Sequence, residues 1–184
     1  MSVSTYGKIK GFVRWEEVLN YIKQKYDSTA KSDISRSNAM PLTECHFNYT
    51  VNPHSEDETM YYYDCGFIFF KLNGERRQLF YYYSNINTLE SLEEYEQNGL
   101  YDSVEMEKSE VTTISLGHFG DSVEVITDII THFGGGWIDK NDCDDEAYCP
   151  IIPNPDGSIK PVKYVTMDEV YEKFGCVVVI KRKR

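Results

Sequence analysis

The sequence has no apolar run approaching the ~20 residues that a membrane helix requires. Its opening stretch, MSVSTYGKIKG, has neither an apolar h-region nor a small-residue cleavage site, so a soluble, cytoplasmic protein is expected. Cysteine is sparse and odd in number: Cys45, Cys65, Cys143, Cys149 and Cys176 are widely spaced. That pattern argues against a disulfide framework and for free thiols. Basic residues are scarce in the middle of the chain. Residues 41–158 carry 5 basic and 23 acidic groups, whereas residues 1–40 carry 7 and 4, and residues 159–184 carry 7 and 3. The formal net charge is -11. An acidic body lacks the cations that release counterions from nucleic acid. It is suited instead to basic protein surfaces.

Aromatic residues are plentiful, at 14% of the 184 residues. With 41% hydrophobic residues they supply a core for one domain, expected over 1–184. Trp15, Val18, Leu19, Ile22 and Tyr26 recur at spacings of three and four, which predicts a helix over 15–26. Val123, Ile126, Ile129, Ile130 and Phe133 predict a second, starting at Asp121 or Ser122 and ended by Gly134. Further helices are expected over 88–98, with Thr88 as cap, and from Thr166 to Gly175. Strands are expected over 7–13, 43–51, 111–116, from Gly136, and over Cys176–Ile180. Residues 27–40 read as a loop, and the proline-rich 150–161 as a connection to a C-terminal helix-strand unit.

The clearest local signal is Asn73-Gly74 between two strand-like runs, a two-residue hairpin turn. Its register places Phe70 opposite Arg77, Phe69 opposite Gln78, Ile68 opposite Leu79 and Phe67 opposite Phe80. Leu72, Phe70, Ile68 and Leu79 then share one face. Tyr63, Cys65, Phe67, Phe69, Phe80 and Tyr82 share the other. Two apolar faces predict a central place in a sheet, or one face that receives a partner. The expected fold class is α+β: a central antiparallel or mixed sheet with this hairpin, covered by about three to four helices.

The densest chemistry is His132–Pro150, HFGGGWIDKNDCDDEAYCP. A calcium loop starting at Asp139 would need an oxygen ligand at 143, glycine at 144 and glutamate at 150. Cys143, Asp144 and Pro150 stand there. Cys143 and Cys149 are separated by five residues, beyond the spacing of paired zinc ligands, and Cys45, His46, His118 and His132 form no pair with them. No metal and no cofactor are expected. His118, in Leu116-Gly117-His118-Phe119-Gly120, stands before a helix start, where amide donors attract anions. Asp121 opposes an anion there, so the segment reads as a tight turn. Sheet aromatics stack bases in RNA-binding folds. Only Arg76 and Arg77 lie near these rings in sequence, so core packing is expected for most of them. An exposed tyrosine-rich patch would suit protein recognition.

Residues 114–151, ISLGHFGDSVEVITDIITHFGGGWIDKNDCDDEAYCPI, resemble a segment of small uncharacterised bacterial and prophage proteins. The segment covers about a fifth of the chain and brings no catalytic residues with it. The whole chain, short, acidic and tyrosine-rich, is similar in style to phage-borne anti-CRISPR inhibitors of Cas9, several of which are acidic mimics of nucleic acid. The resemblance implies an inhibitor of a bacterial nucleic-acid-targeting defence protein. The binding residues expected are Glu93, Glu94, Glu96, Asp139, Asp142, Asp144, Asp145 and Glu146, with no catalytic residues. Two alternatives share the composition. One is an immunity protein against a basic toxin; the other is a metal-assisted hydrolase or nuclease using Asp139, Asp142, Asp144 and His118.

Overall fold

A computed structural model describes residues 4–89, 109–117, 120–139, 148–156 and 158–159. Its main feature is a wholly antiparallel sheet. Strand β1 (Ser4–Lys10) leads to helix α1 (Trp15–Lys25) and two short strands, β2 (Lys31–Ser32) and β3 (Ser35–Arg36). Next come β4 (Met40–Pro41), β5 (Tyr49–Val51) and β6 (Met60–Tyr61). The hairpin arms are β7 (Tyr63–Leu72) and β8 (Glu75–Ser84), followed by β9 (Ile86–Thr88) and β10 (Val111–Gly117). Helix α2 (Ser122–His132), β11 (Gly136–Asp139) and β12 (Tyr148–Ile151) complete the described elements. The sheet order is β12-β11-β1-β10-β8-β7-β2, with β3 also on β7. Two small ribbons, β4 with β6 and β5 with β9, extend from it.

This is a strand-dominated protein, and it corrects the expected α+β class with three to four covering helices. Only two α-helices lie among the described residues. The sheet is larger than local patterns suggest because the polar 31–36 segment pairs with β7. That segment has no alternating apolar signature, since as an edge it needs backbone donors and acceptors more than buried side chains. The strand expected over 43–51 is a 3-10 turn, Leu42–Glu44, followed by only three strand residues. Of the helix expected over 88–98, Thr88 is the last residue of β9 and 90–98 lie outside the described residues, as do the acidic loop 140–147 and the helix and strand after residue 160.

The hairpin has the expected register over ten pairs, from Tyr63↔Ser84 to Leu72↔Glu75. Asn73 (φ 52) and Gly74 (φ 84) supply the left-handed conformations its turn requires. Both helices lie on one face. Val18 and Ile22 of α1, and Val125, Ile126, Ile129 and Ile130 of α2, join Ile9, Ile68, Leu79, Ile114 and Leu116 in one core. Each fully buried aliphatic side chain contributes about 1.5–3 kcal/mol relative to exposure. Helix α2 sits directly on β1: a Cβ at Gly7 would come within 2.6 Å of Ile126 Cγ2. Sequence also anticipated Asp121 or Ser122 as its cap. Asp121 takes the N-cap position without a side-chain cap bond and instead pairs with Arg77 at 3.4 Å, while Ser122 meets the Thr5 hydroxyl at 2.8 Å.

No helix among the described residues is long and apolar enough to cross a membrane.

Candidate functional site: the aromatic face of the sheet

Side chains alternate across a strand, so every strand beneath the helices also presents a second set to the opposite side. No described helix covers that second face. The pairing places its residues in rows. Trp137, Lys8, Thr113, Tyr82 and Cys65 stand side by side across five strands. The next row runs Tyr6, Ser115, Phe80 and Phe67. Gln78, Phe69 and Lys31 form a third at the hairpin end. Tyr6, Tyr63, Phe67 and Phe69 are 36–40% exposed, while Phe80, Tyr82 and Trp137 are half-buried.

The rings support one another. Phe67 lies 5.5 Å from Phe80 and 6.2 Å from Phe69, and Tyr63 lies 6.0 Å from Tyr82, all with tilted planes. Such contacts hold flat faces at fixed angles at little entropic cost. At one end of the face, Phe47, Tyr61, Tyr82, Lys8, Val111 and Thr113 line a hollow of about 200 Å³. At the hairpin end, a groove of about 510 Å³ runs between Phe69, Lys31, Lys71, Arg76 and Gln78.

Asn85 shapes the wall of the hollow. It is fully buried, accepts from the Tyr62 backbone N–H at 3.1 Å, and donates to the carbonyls of Asp57 and Met60. These bonds fix the 57–62 segment beside Tyr82, because an unsatisfied buried amide would cost about 1–3 kcal/mol.

The face is neutral in its rings and carries no activated nucleophile among the described residues. Burial pushes the Tyr61 and Tyr82 phenols above their ordinary range, so both remain protonated at neutral pH. Burial, reinforced by nearby Asp33, also raises the Cys65 thiol. A thiol held in that state is a poor nucleophile. Among the described residues, no three His, Cys, Asp or Glu side chains converge as metal ligands would.

Of the eight binding residues expected from sequence, only Asp139 lies among the described residues. It ends β11 and is 9% exposed, so it is a buried strand residue and not part of an exposed acidic loop. The reason is its place in the ladder: Asp139 pairs with Tyr148 of β12, which brings a strand alongside it. Glu93, Glu94, Glu96, Asp142, Asp144, Asp145 and Glu146 lie outside the described residues, as does His118.

Sequence reasoning identified the hairpin rings but treated most of them as core. It missed Tyr6, Lys8, Lys31 and Trp137 as their neighbours. The alternation Tyr6-Gly7-Lys8-Ile9-Lys10 already marks a strand with one wet face. Nothing local in it says which other strands share that face.

Among the described residues, fold and site define a strand-dominated protein with two helices on one side of the sheet and an aromatic face on the other. No protein-family model, curated protein or solved structure matches the chain.

Proposed function

We propose that this chain is a binding module that inhibits a bacterial nucleic-acid-targeting defence protein of the Cas9 type by occupying a basic surface on it. The observation that carries this reading is the charge imbalance of residues 41–158, 23 acidic groups against 5 basic. A protein channel built for nucleic acid is lined with cations and attracts such a segment at long range. Aromatic rings at the sheet surface suit the anchoring that follows encounter, since binding energy concentrates in a few large side chains. Asp142, Asp144, Asp145 and Glu146, with Glu93, Glu94 and Glu96, supply the charge.

The experiment is a titration of purified Cas9, and of other basic nucleic-acid-binding effectors, onto the immobilised full chain across a series of salt concentrations. Binding weakens about tenfold or more as salt rises from physiological levels, since charge steering is screened. The triple variant Asp142→Asn, Asp144→Asn, Asp145→Asn loses affinity for the same effector. No binding to any effector, or binding indifferent to salt and to these substitutions, sinks the reading.

A further inference from the structure

We infer that the helix-free face of the sheet is a docking surface for a single strand of RNA. Cations gather on this face of an acidic chain. Lys10, Lys31, Lys71 and Arg76 all project to that side by strand alternation and register. All four are exposed, and none makes a salt bridge among the described residues. Carboxylates stand here too: Asp139 shares this face with Trp137 by strand alternation, and Asp27 lines the groove beside Lys71. Asp33 accepts from the Phe67 backbone N–H at 2.6 Å, Asp27 accepts from that of Lys71 at 2.7 Å, and Glu75 pairs with Arg77 at 2.7 Å.

Four of the described acidic groups lie on the far side of the sheet, with the two helices. Glu16, Glu17, Glu124 and Asp128 are all helical. At physiological ionic strength the Debye length is about 8 Å, so charges across the sheet are largely screened from a ligand on this face.

Cations around exposed flat rings match the two repeating parts of a nucleic-acid strand, its phosphates and its bases. Unpaired bases stack on aromatic side chains, and the rings Tyr6, Tyr63, Phe67 and Phe69 are exposed for that contact. A duplex hides its bases and cannot use them. The 200 Å³ hollow beside Tyr82 and Tyr61 offers a recess for one base. Gln78 and Thr113 lie between the rings and carry groups that both donate and accept. A 2′-hydroxyl needs such partners, and it distinguishes RNA from DNA.

The test is fluorescence anisotropy of a labelled uridine dodecamer with the full chain at physiological salt. The expected result is binding that is stronger than to a thymidine deoxydodecamer or to an RNA duplex of equal length. Phe67→Leu with Phe69→Leu keeps apolar volume and removes the ring faces. It lowers affinity about tenfold or more while the thermal midpoint and far-UV circular dichroism are retained. Lys31→Gln with Arg76→Gln lowers affinity and flattens its decline with added salt.

Several outcomes overturn the inference. One is no uridine binding at about 100 µM protein, the weak end of non-specific association. Another is equal or tighter binding of the deoxydodecamer or duplex. A third is an acidic peptide, polyglutamate, that binds as tightly with the same sensitivity to the ring variants. A fourth is RNA binding that survives the ring variants and disappears when Lys181, Arg182, Lys183 and Arg184 are neutralised. The acidic-loop variant above is scored only against a basic effector, so failure there leaves this result unaffected.

Discussion

The Tyr21 phenol on α1 donates a 2.6 Å hydrogen bond to the Asp128 carboxylate on α2, across 107 positions of sequence. Tyr26 donates to the same carboxylate at 2.5 Å, and Lys25 completes the cluster. His132 stacks on Tyr21 at 3.9 Å, so the seam between the helices is aromatic as well as ionic. Sequence periodicity marked both helices, but only these contacts show that they lie side by side.

Burial pushes the Asp128 carboxyl up, and the bonds from Lys25, Tyr21 and Tyr26 outweigh it, holding the group below its ordinary value of 3.8. Its folded pKa is therefore lower than its unfolded one. The stabilisation is complete above the ordinary carboxylate range and drains away as pH falls through the folded value. Asp128→Asn is expected to cost about 1–2 kcal/mol at neutral pH, as charge-assisted bonds at a partly exposed site do. Urea denaturation at neutral pH and below about pH 4 checks both the loss and its pH dependence; the gap between wild type and variant narrows in acid.

Gly136 should tolerate no side chain. A Cβ there would stand 2.0 Å from the Lys8 carbonyl oxygen and 3.0 Å from the Lys10 amide nitrogen, both backbone atoms of β1. Gly136→Ala forces β11 away from β1 and costs about 3 kcal/mol or more. Gly120→Ala, where a Cβ meets nothing within 4 Å, is the matched control and stays within about 0.5 kcal/mol of wild type. Thermal denaturation of the pair separates the two.

Tyr81 is fully buried and donates to the Val13 carbonyl at 2.7 Å, tying β8 to the segment that leads into α1. Tyr81→Phe keeps the ring and leaves that carbonyl without its donor. The expected loss is about 1–3 kcal/mol in chemical denaturation, with the fold retained by circular dichroism.

The hairpin turn gives a fourth prediction. Gly74 has φ 84 with open space around it, so the cost of a side chain is purely conformational. Gly74→Ala should destabilise by about 1–2 kcal/mol, and amide exchange in β7 and β8 should quicken more than in α2.

The elements that local rules describe were legible in the sequence. Asn73-Gly74 has the positive φ angles its residue types favour, and the register it implied holds over ten pairs. The stripe on α1 obeys the same short-range logic, and so does that on α2 except at Val123, which is exposed while Val125 is buried. Less legible were β2 and β3, which carry no alternating apolar pattern and of which β3 is held to β7 by the Arg36–Asp64 ion pair as well as by backbone. The burial of Asp139 was also hidden, because it depends on a strand at 148–151 lying alongside. For the site, sequence showed that the hairpin has two apolar faces; it did not say that helices cover only one of them.

By itself, then, the sequence determined a net charge of -11, two amphipathic helices and one hairpin, since each depends on composition or on neighbours a few residues away. Only the tertiary structure decided that β1 pairs with β10 and β11, bringing Tyr6, Lys8 and Trp137 into one face with the hairpin rings. Those pairings join residues more than a hundred positions apart. Backbone hydrogen bonds are alike for every residue, so such partners are chosen by how the whole core packs rather than by any local pattern.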